Sequence, residues 1–269
     1  MDAAVRCPRE RIRERFARGE PSFGSWLTLG SPDLLEALTQ TPFDYVGIDC
    51  QHGAISESDI PGLLGRPTEM PRFVRVSANN PALIGKVLDS GADGIIVPMV
   101  NSAAEATAAV AAATYPSEGG NRSYGPIAAY LPREPEGLAE RSMILAMVET
   151  VDGAKNVDEI LGVPGIDGIY IGPADLGIAL GLGHRQFPPS EELCEVLTTF
   201  VTAANNAGKI PAVHAALGLA APRFLELGFM FMTLGTERLL LALGAAAELE
   251  RARGVTAPAA AVSGIAGPY

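Results

Sequence analysis

Lysine is scarce in this sequence of 269 residues, where it occurs only at positions 86, 155 and 209. Lys86 and Lys155 fall inside or at the start of predicted helices, and Lys209 precedes a predicted strand instead of following one. Catalysis through a Schiff base needs a desolvated lysine in the active site, and none of the three is placed for it. The G-x-S-x-G and H-E-x-x-H motifs are absent as well. Metal-assisted chemistry therefore remains as the expectation.

Cysteine is equally rare, and Cys7, Cys50 and Cys194 form an odd set without paired spacing. This usage predicts a reducing, cytoplasmic compartment and neither a disulfide scaffold nor a zinc site. Basic residues number 20 against 31 acidic ones, and the net charge of −11 argues against nucleic acid as a partner. No run approaches the ~20 uninterrupted apolar residues of a membrane span, so we expect no membrane partner.

The two ends of the chain differ in composition from the rest. The N-terminal segment CPRERIRERFARGE mixes arginine with acidic residues and lacks the apolar stretch of a secretory signal, which predicts a surface helix. Residues 254–269 are rich in alanine, glycine and proline, and we expect a disordered tail there. Residues 1–253 show no break in composition and are predicted to form a single domain.

Short apolar runs alternate with helix-like segments along the whole chain. Such continuous apolar strands between helices are typical of a parallel sheet. The number of strand–helix units predicts one (β/α)8 TIM barrel; an open doubly wound sheet is the alternative, but no glycine-rich phosphate fingerprint follows the first strand. The eight predicted strands are 23–29, 45–49, 72–76, 94–98, 143–149, 166–171, 210–214 and 229–234.

Two acidic residues, Glu149 and Asp175, follow successive predicted strands. Side chains at the carboxyl ends of parallel strands converge on the mouth of a barrel, where such enzymes hold their active sites. Either residue alone is best interpreted as a helix-capping acid on a surface loop. Because hard cations of the Mg²⁺ type prefer oxygen ligands, the pair predicts a divalent metal site.

Other polar residues are expected at the same rim. His52 is able to move a proton, although a histidine in a loop also caps backbone carbonyls. Arg75 lies within an apolar strand, where an unpaired charge is costly, so it must pair with an acid or a ligand. Trp26, the only tryptophan, either fills the barrel or covers a ligand, and His214, which ends strand seven, is a weaker candidate.

Seven segments together resemble the HpcH/HpaI aldolase family of metal-dependent pyruvate aldolases. The similarity extends from about Gly24 to about Leu249. It implies a (β/α)8 barrel that assembles as a homo-oligomer, usually a hexamer or trimer of dimers, with active sites near subunit contacts. The segments are FGSWL, DYVGIDCQHG, FVRVSANNP, VLDSGADGIIVPMV, TYPSEGGNRSYGP, MVET and DGIYIGPADL.

The resemblance also implies roles for individual residues. Glu149 and Asp175 would hold Mg²⁺, Mn²⁺ or Co²⁺, and His52 would be the catalytic base. Arg75 would stabilise an enolate, and Asp89 would support the basicity of the histidine. The remaining substrate-binding positions implied by the family are Trp26, Asp49, Met147, Gly172, Pro173 and Ala174, with the backbone amides around Ala174 binding the carboxylate of pyruvate.

The sequence departs from the common family pattern at two places. Many members have D-x-E-H where this chain has Gln51 before His52, which marks a Gln-His variant branch. Many have V-Q-I-E-T where this chain has Met147, so a hydrogen-bonding amide is lost at the substrate. The second change favours a more apolar aldehyde over a polyhydroxylated one.

The resemblance implies an aldolase that cleaves or forms 4-hydroxy-2-oxo acids from a pyruvate enolate and an aldehyde. Two alternatives use the same enolate: decarboxylation of oxaloacetate, and formation of a carbon–carbon bond in a biosynthetic pathway. An alternative from another class is a non-catalytic barrel that binds a keto acid.

Overall fold

Eight parallel strands close into a barrel in which each strand pairs with its sequence neighbours and β1 pairs with β8. The computed structural model describes residues 8–139 and 142–254. The predicted (β/α)8 barrel is confirmed, and the open sheet is excluded. The strands are β1 Ser22–Leu27, β2 Tyr45–Asp49, β3 Arg72–Arg75, β4 Gly94–Val97, β5 Met143–Val148, β6 Gly168–Ile171, β7 Ile210–His214 and β8 Phe231–Thr236.

The helices surround this barrel and return the chain to the start of each next strand. Several begin at a capping side chain: Ser31 accepts a hydrogen bond from the Leu34 amide, and Ser190 accepts one from the Leu193 amide. The helices are α1 Pro8–Ala17, α2 Pro32–Thr39, α3 Ile60–Leu63, α4 Pro81–Asp89, α5 Ala103–Ala113, α6 Pro135–Ala139, α7 Val151–Lys155, α8 Val157–Leu161, α9 Pro173–Ala179, α10 Glu191–Asn206, α11 Ala221–Leu227 and α12 Glu237–Ala252.

The predicted strand boundaries agree with these to within two residues at every end. The last strand was expected at 229–234, but it begins at Phe231. Gly228 ends α11 in the left-handed region at φ 97°, and Phe229 then packs into the core layer outside the sheet. Hydrophobicity alone places Phe229 and Met230 in the predicted strand, because both are apolar like the strand that follows them.

Large rings fill the inside of the barrel, and two of them lie over a glycine of the next strand. Trp26 is paired in register with Gly47, and a Cβ placed on that glycine would lie only 2.5 Å from the indole ring. Phe73 stands in the same relation to Gly94, also at 2.5 Å. Few aromatic residues are available, 6% of the chain, and the inside of the barrel holds several of the largest of them.

Helix α1 covers the amino-terminal end of the barrel. Ile12 is only 2% exposed and belongs to the same cluster as the interior rings, and Phe16 packs against that cluster. Arg13 pairs with Asp167 at the same end. The N-terminal helix therefore lies at the surface and also closes one end, which leaves the carboxyl end of the strands as the open mouth.

The remaining expectations concern membrane-spanning helices, the C-terminal tail and the cysteines. No helix among residues 8–139 and 142–254 is both long and apolar enough to cross a membrane. Of the predicted disordered tail at 254–269, residues 255–269 lie outside the described residues. Cys7 also lies outside them, whereas Cys50 and Cys194 are both free and buried.

Candidate active site

The predicted rim residues of β2, β3, β5 and β6 meet at the mouth. Asp49 and Arg75 are the last residues of β2 and β3, which are paired in register at this point. Glu149 follows β5 directly, and Asp175 lies in the first turn of the helix that follows β6. The barrel topology thus brings together side chains that are distant in the sequence.

Arg75 forms a buried pair with Asp49. Its Nε lies 2.8 Å from Oδ1 and its Nη2 lies 2.6 Å from Oδ2, and the two residues are 2% and 0% exposed. Burial alone would raise the pKa of Asp49, but the two bonds from Arg75 and the amides of Gln51 and His52 lower it below its ordinary value. Asp49 is thus an ion whose two oxygens orient the guanidinium, and its contact with substrate stays a prediction.

Trp26 lies against the face of the same guanidinium. The Arg75 Cζ is 5.1 Å from the indole centroid, a distance suited to a cation–π interaction. The indole is only 1% exposed, and its Nε1 donates a hydrogen bond of 2.8 Å to Nδ1 of His214. Trp26 therefore fills the barrel and supports Arg75 from inside, and its contact with a ligand stays a prediction.

The two carboxylates, Glu149 and Asp175, border one small space. A Cβ built on Gly172 would lie 2.8 Å from Oε2 of Glu149 and 3.6 Å from Oδ2 of Asp175, so both oxygens face the same point. Glu149 is 3% exposed, and burial together with the charge of Asp175 raises its pKa to about 7. The Met99 amide donates to Oε1 of Glu149 at 3.0 Å.

The chemistry of this pair fits a hard divalent cation. A buried carboxylate whose pKa is raised by a second carboxylate is stabilised as an ion when a cation binds between them. In the described part of the chain, no group of three or more His, Cys, Asp or Glu side chains is arranged to hold a metal. A cation at Glu149 and Asp175 would therefore take its remaining ligands from water and substrate.

His52 extends from the loop after β2 and is exposed. Partial burial of the ring and the positive charge of Arg75 lower its pKa, and Asp49 and Asp175 only partly oppose this effect. The imidazole is therefore largely neutral near pH 7 and able to accept a proton.

Asp89 does not join this group within one chain. It is the last residue of α4, so it lies near the amino-terminal end of the barrel, five residues before β4 begins at Gly94. Its Oδ1 accepts a hydrogen bond from Arg122 at 2.7 Å. The expected support of His52 by Asp89 is not formed in the single chain, because α4 runs antiparallel to the strands and ends away from the mouth.

Met147 connects the arginine and the carboxylates. Its Sδ is 3.8 Å from Nη1 of Arg75, and its Cε would lie 2.8 Å from a Cβ on Gly172. The side chain is 1% exposed and offers only a weak acceptor to its neighbours. The site therefore has an apolar wall at this position.

The mouth also contains a contact that sequence reasoning did not find. Met99 lies at its edge with a positive φ of 56° and donates its amide to Glu149. A methionine in the left-handed region gives no pattern in the sequence, because no glycine or asparagine marks the turn.

The sequence model of one family, described as HpcH/HpaI aldolase/citrate lyase, matches residues 22–242. That range contains all eight strands and every side chain placed at the mouth. The chain belongs to this family.

Individual members of the HpcH/HpaI family resemble the chain over nearly its whole length. A hydroxypyruvate/pyruvate aldolase from Rhizorhabdus wittichii is 37% identical, with 90% of this chain and 98% of that one covered. A 4-hydroxy-2-oxo-heptane-1,7-dioate aldolase from Klebsiella pneumoniae is 35% identical, with 88% and 91% covered. Among solved structures, the citrate synthase SbnG has a TM-score of 0.77 at 27% identity, with 90% and 97% covered. This HpcH/HpaI chain is an enzyme, a carbon–carbon lyase of the aldolase type.

The raised pKa of Glu149 in this family member predicts a pH-dependent stability. A group whose folded pKa, about 7, lies above its ordinary 4.5 contributes stability that is complete below pH 4.5 and lost as the pH rises through 7. Without metal, wild-type protein should lose up to about 3 kcal/mol of unfolding free energy between pH 5 and 8. Glu149→Gln stays neutral and should lose much less. Urea unfolding of both proteins in EDTA at the two pH values measures this, and equal losses would contradict it.

Proposed function

We propose that this enzyme is a metal-dependent pyruvate aldolase that cleaves or forms 4-hydroxy-2-oxo acids. The observation that carries the proposal is the convergence of Glu149 and Asp175 on one space that also borders Met147, whose sulfur contacts Arg75. A site for a divalent cation and a fixed guanidinium are thereby adjacent, and such a pair suits an enolate. Mg²⁺, Mn²⁺ and Co²⁺ are the proposed cations, since all accept carboxylate and water oxygens.

The substrate half that becomes pyruvate would lie between these groups. Glu149 and Asp175 would hold a divalent cation, which would supply positive charge to polarise the oxygens of the keto acid. Arg75, held by Asp49 before any substrate arrives, donates hydrogen bonds to the oxygen that becomes the enolate. The backbone amides at Ala174, which follow Gly172 and Pro173, are the proposed donors to the substrate carboxylate. A side chain on Gly172 would fill this space, so glycine is required there.

His52 is the proposed base. In cleavage it takes the proton from the C4 hydroxyl, and that oxygen becomes the carbonyl of the aldehyde as the bond between C3 and C4 breaks. The bonding electrons pass to C3 and form the pyruvate enolate, which a proton then converts to pyruvate. Condensation follows the same steps in reverse. The lowered pKa of His52 suits this role, because the neutral ring is the base.

Two other reactions remain as candidates on the same enolate. Oxaloacetate gives the pyruvate enolate directly when it loses CO₂. The likeness to the citrate synthase SbnG, at 27% identity, favours a bond-forming reaction as the second candidate. Neither requires a change in the residues proposed to hold the enolate.

A homo-oligomer is also proposed, and α12 supports it. This helix carries five leucines, and among its described residues only Glu237 is buried. Leu241 is 71% exposed and Leu249 is 49% exposed, so none of the residues that the structure describes covers this apolar face of the helix. A second copy of the chain would cover this face. In such an assembly, Asp89 of a neighbouring copy would reach His52. Sedimentation should show a hexamer or trimer of dimers, and a monomer at micromolar concentration would contradict this.

The proposed compartment is the cytoplasm, and nucleic acid and membranes are not proposed partners. Support comes from the composition and from Cys50 and Cys194, which are free. Burial raises the pKa of the Cys50 thiol well above its ordinary value, so it is a poor nucleophile and a structural residue.

Pyruvate proton exchange tests the function directly. In D₂O with Mg²⁺, the enzyme should exchange the methyl protons of pyruvate, and with an aldehyde added it should form the 4-hydroxy-2-oxo acid. A barrel that only binds keto acids would do neither. Proton exchange without product from a broad set of aldehydes, combined with rapid loss of CO₂ from oxaloacetate, would favour oxaloacetate decarboxylation as the function.

Replacement of Met147 should alter the choice of aldehyde. Met147→Gln places an amide at the apolar wall, so activity on hydroxylated aldehydes should rise relative to activity on alkyl aldehydes. A site that can hydrogen-bond a hydroxyl discriminates far more than a methylene contact, which is worth only about 1–3 kcal/mol. The measurement is the ratio of kcat/KM for glycolaldehyde and propionaldehyde, with Met147→Leu as the control that keeps the wall apolar. An unchanged ratio in the glutamine variant would show that Met147 does not face the acceptor.

A further inference from the structure

His214 is the remaining histidine at the mouth, and the mechanism above does not use it. It ends β7 and is 7% exposed. The centroid of its ring lies 6.1 Å from that of Trp26 and 5.9 Å from that of Phe187. Its Nδ1 accepts the hydrogen bond from the Trp26 indole at 2.8 Å. Because an acceptor nitrogen carries no proton, the neutral ring has its proton on Nε2.

Trp26 is fixed by its neighbours on several sides. Gly47 allows one face of the indole to approach the backbone of β2, and Tyr170 packs at a centroid distance of 6.0 Å. The bond to His214 holds the Nε1 edge of the ring as well. The indole is therefore a rigid surface inside the barrel.

Arg75 rests on this surface, and its orientation depends on it. The two bonds to Asp49 hold Nε and Nη2 in the plane of the guanidinium, but they leave the plane free to tilt about the axis that joins the two residues. The indole face at 5.1 Å restricts that tilt. The direction of Nη1, which points toward the side of the mouth that Met147 borders, follows from both contacts.

We propose that His214 is a positioning residue for Arg75 and acts through Trp26. Its ring nitrogen fixes the indole, and the indole fixes the tilt of the guanidinium. The consequence for turnover rests on the proposed function, in which Arg75 donates to the enolate oxygen. A displacement of about 1 Å in such a donor is enough to cost about 10²-fold in rate.

A matched pair of variants separates this role from simple packing. His214→Asn places its amide oxygen near the position of Nδ1, so it keeps an acceptor for the indole but loses the ring. His214→Phe keeps the ring and loses the acceptor. If His214 positions Trp26, the asparagine variant should be the more active; if it only fills space, the phenylalanine variant should be.

The expected results are specific. In pyruvate proton exchange with saturating Mg²⁺, His214→Phe should lose at least about tenfold in kcat with little change in KM, because substrate still binds while the enolate oxygen is poorly held. His214→Asn should remain within about threefold of wild type. Equal activity of wild type and His214→Phe, or an asparagine variant no better than the phenylalanine one, would overturn the proposal.

A double-mutant cycle tests whether the effect passes through Trp26. Trp26→Phe removes the indole donor, so adding His214→Phe to it should cost nothing further. A full additional loss in the double variant would show that His214 acts by another route and would overturn the proposal.

Fluorescence gives a readout that is independent of turnover. Trp26 is the only tryptophan, so tryptophan emission comes from this one indole and its surroundings. His214→Phe should shift the emission and His214→Asn should not, and oxalate with Mg²⁺, a planar dianion similar to the enolate, should perturb the wild-type emission. If wild type failed to exchange pyruvate protons, the proposed function would fall, while the fluorescence of the variants would still decide whether His214 fixes Trp26. Identical spectra for all three proteins would reject the inference itself.

Discussion

Treatment with EDTA should abolish turnover by this aldolase, and Mg²⁺, Mn²⁺ or Co²⁺ should restore it. Only Glu149 and Asp175 are arranged to bind the cation among the described residues, so water and substrate must fill the rest of its shell. A cation with so few protein ligands exchanges readily, and chelation should remove it within minutes. Glu149→Ala should be inactive at every metal concentration, because the buried half of the site is lost.

The control for this experiment is an acidic residue outside the mouth. Asp152 lies three residues after Glu149 and its side chain is 77% exposed, so Asp152→Ala should respond to EDTA and metal as wild type does. Thermal unfolding of each variant checks that the loss in Glu149→Ala is not a loss of fold. Full activity in protein shown by elemental analysis to contain no metal would refute the metal site.

Replacement of His52 and of Arg75 should have different effects on two reactions. Aldol cleavage needs a base for the C4 hydroxyl, whereas decarboxylation of oxaloacetate forms the enolate by loss of CO₂ and needs none. His52→Ala should therefore depress cleavage by about 10²–10⁴ and largely spare decarboxylation. Arg75→Ala should depress both by about 10²–10³, since both pass through the enolate.

The surroundings of each residue suggest suitable controls. His184 is exposed in the loop before α10, and His184→Ala should leave both reactions unchanged. Arg75→Ala leaves Asp49 buried without its partner, so folding must be checked, and Arg75→Lys tests the charge separately. The lysine variant should recover only part of the activity, because an ammonium cannot form both bonds to Asp49 and still reach the substrate. If His52→Ala lost decarboxylation as severely as cleavage, His52 would be a binding or structural residue and not the base.

The barrel could be predicted because its strands are continuous apolar runs separated by helices, a pattern that depends only on nearest neighbours in the sequence. Glu149 and Asp175 could be selected for a similar reason, since a charge at the end of a buried run has few local explanations. Where a helix ends depends on packing, which the sequence pattern does not contain. For this reason β8 begins at Phe231 and not at residue 229.

The partners of the rim residues could not be predicted in the same way. The sequence required a partner for Arg75, but only the register of β2 and β3 shows that it is Asp49. The bond from Trp26 to His214 joins residues 188 positions apart and depends on closure of the barrel. Asp89 was assigned from resemblance, and the direction of α4 separates it from His52 within one chain.

The glycines beneath the interior rings bear on how the barrel assembles. In a parallel sheet, a strand can slip by two residues and still keep its apolar side chains on the correct face. Such a slip of β1 against β2 would move Trp26 from Gly47 to a residue with a side chain, where the indole does not fit. The same holds for Phe73 and Gly94 in the next pair of strands. Each ring–glycine pair therefore favours one register of its two strands over the slipped ones. Correct register in turn aligns the residues at the carboxyl ends of the strands.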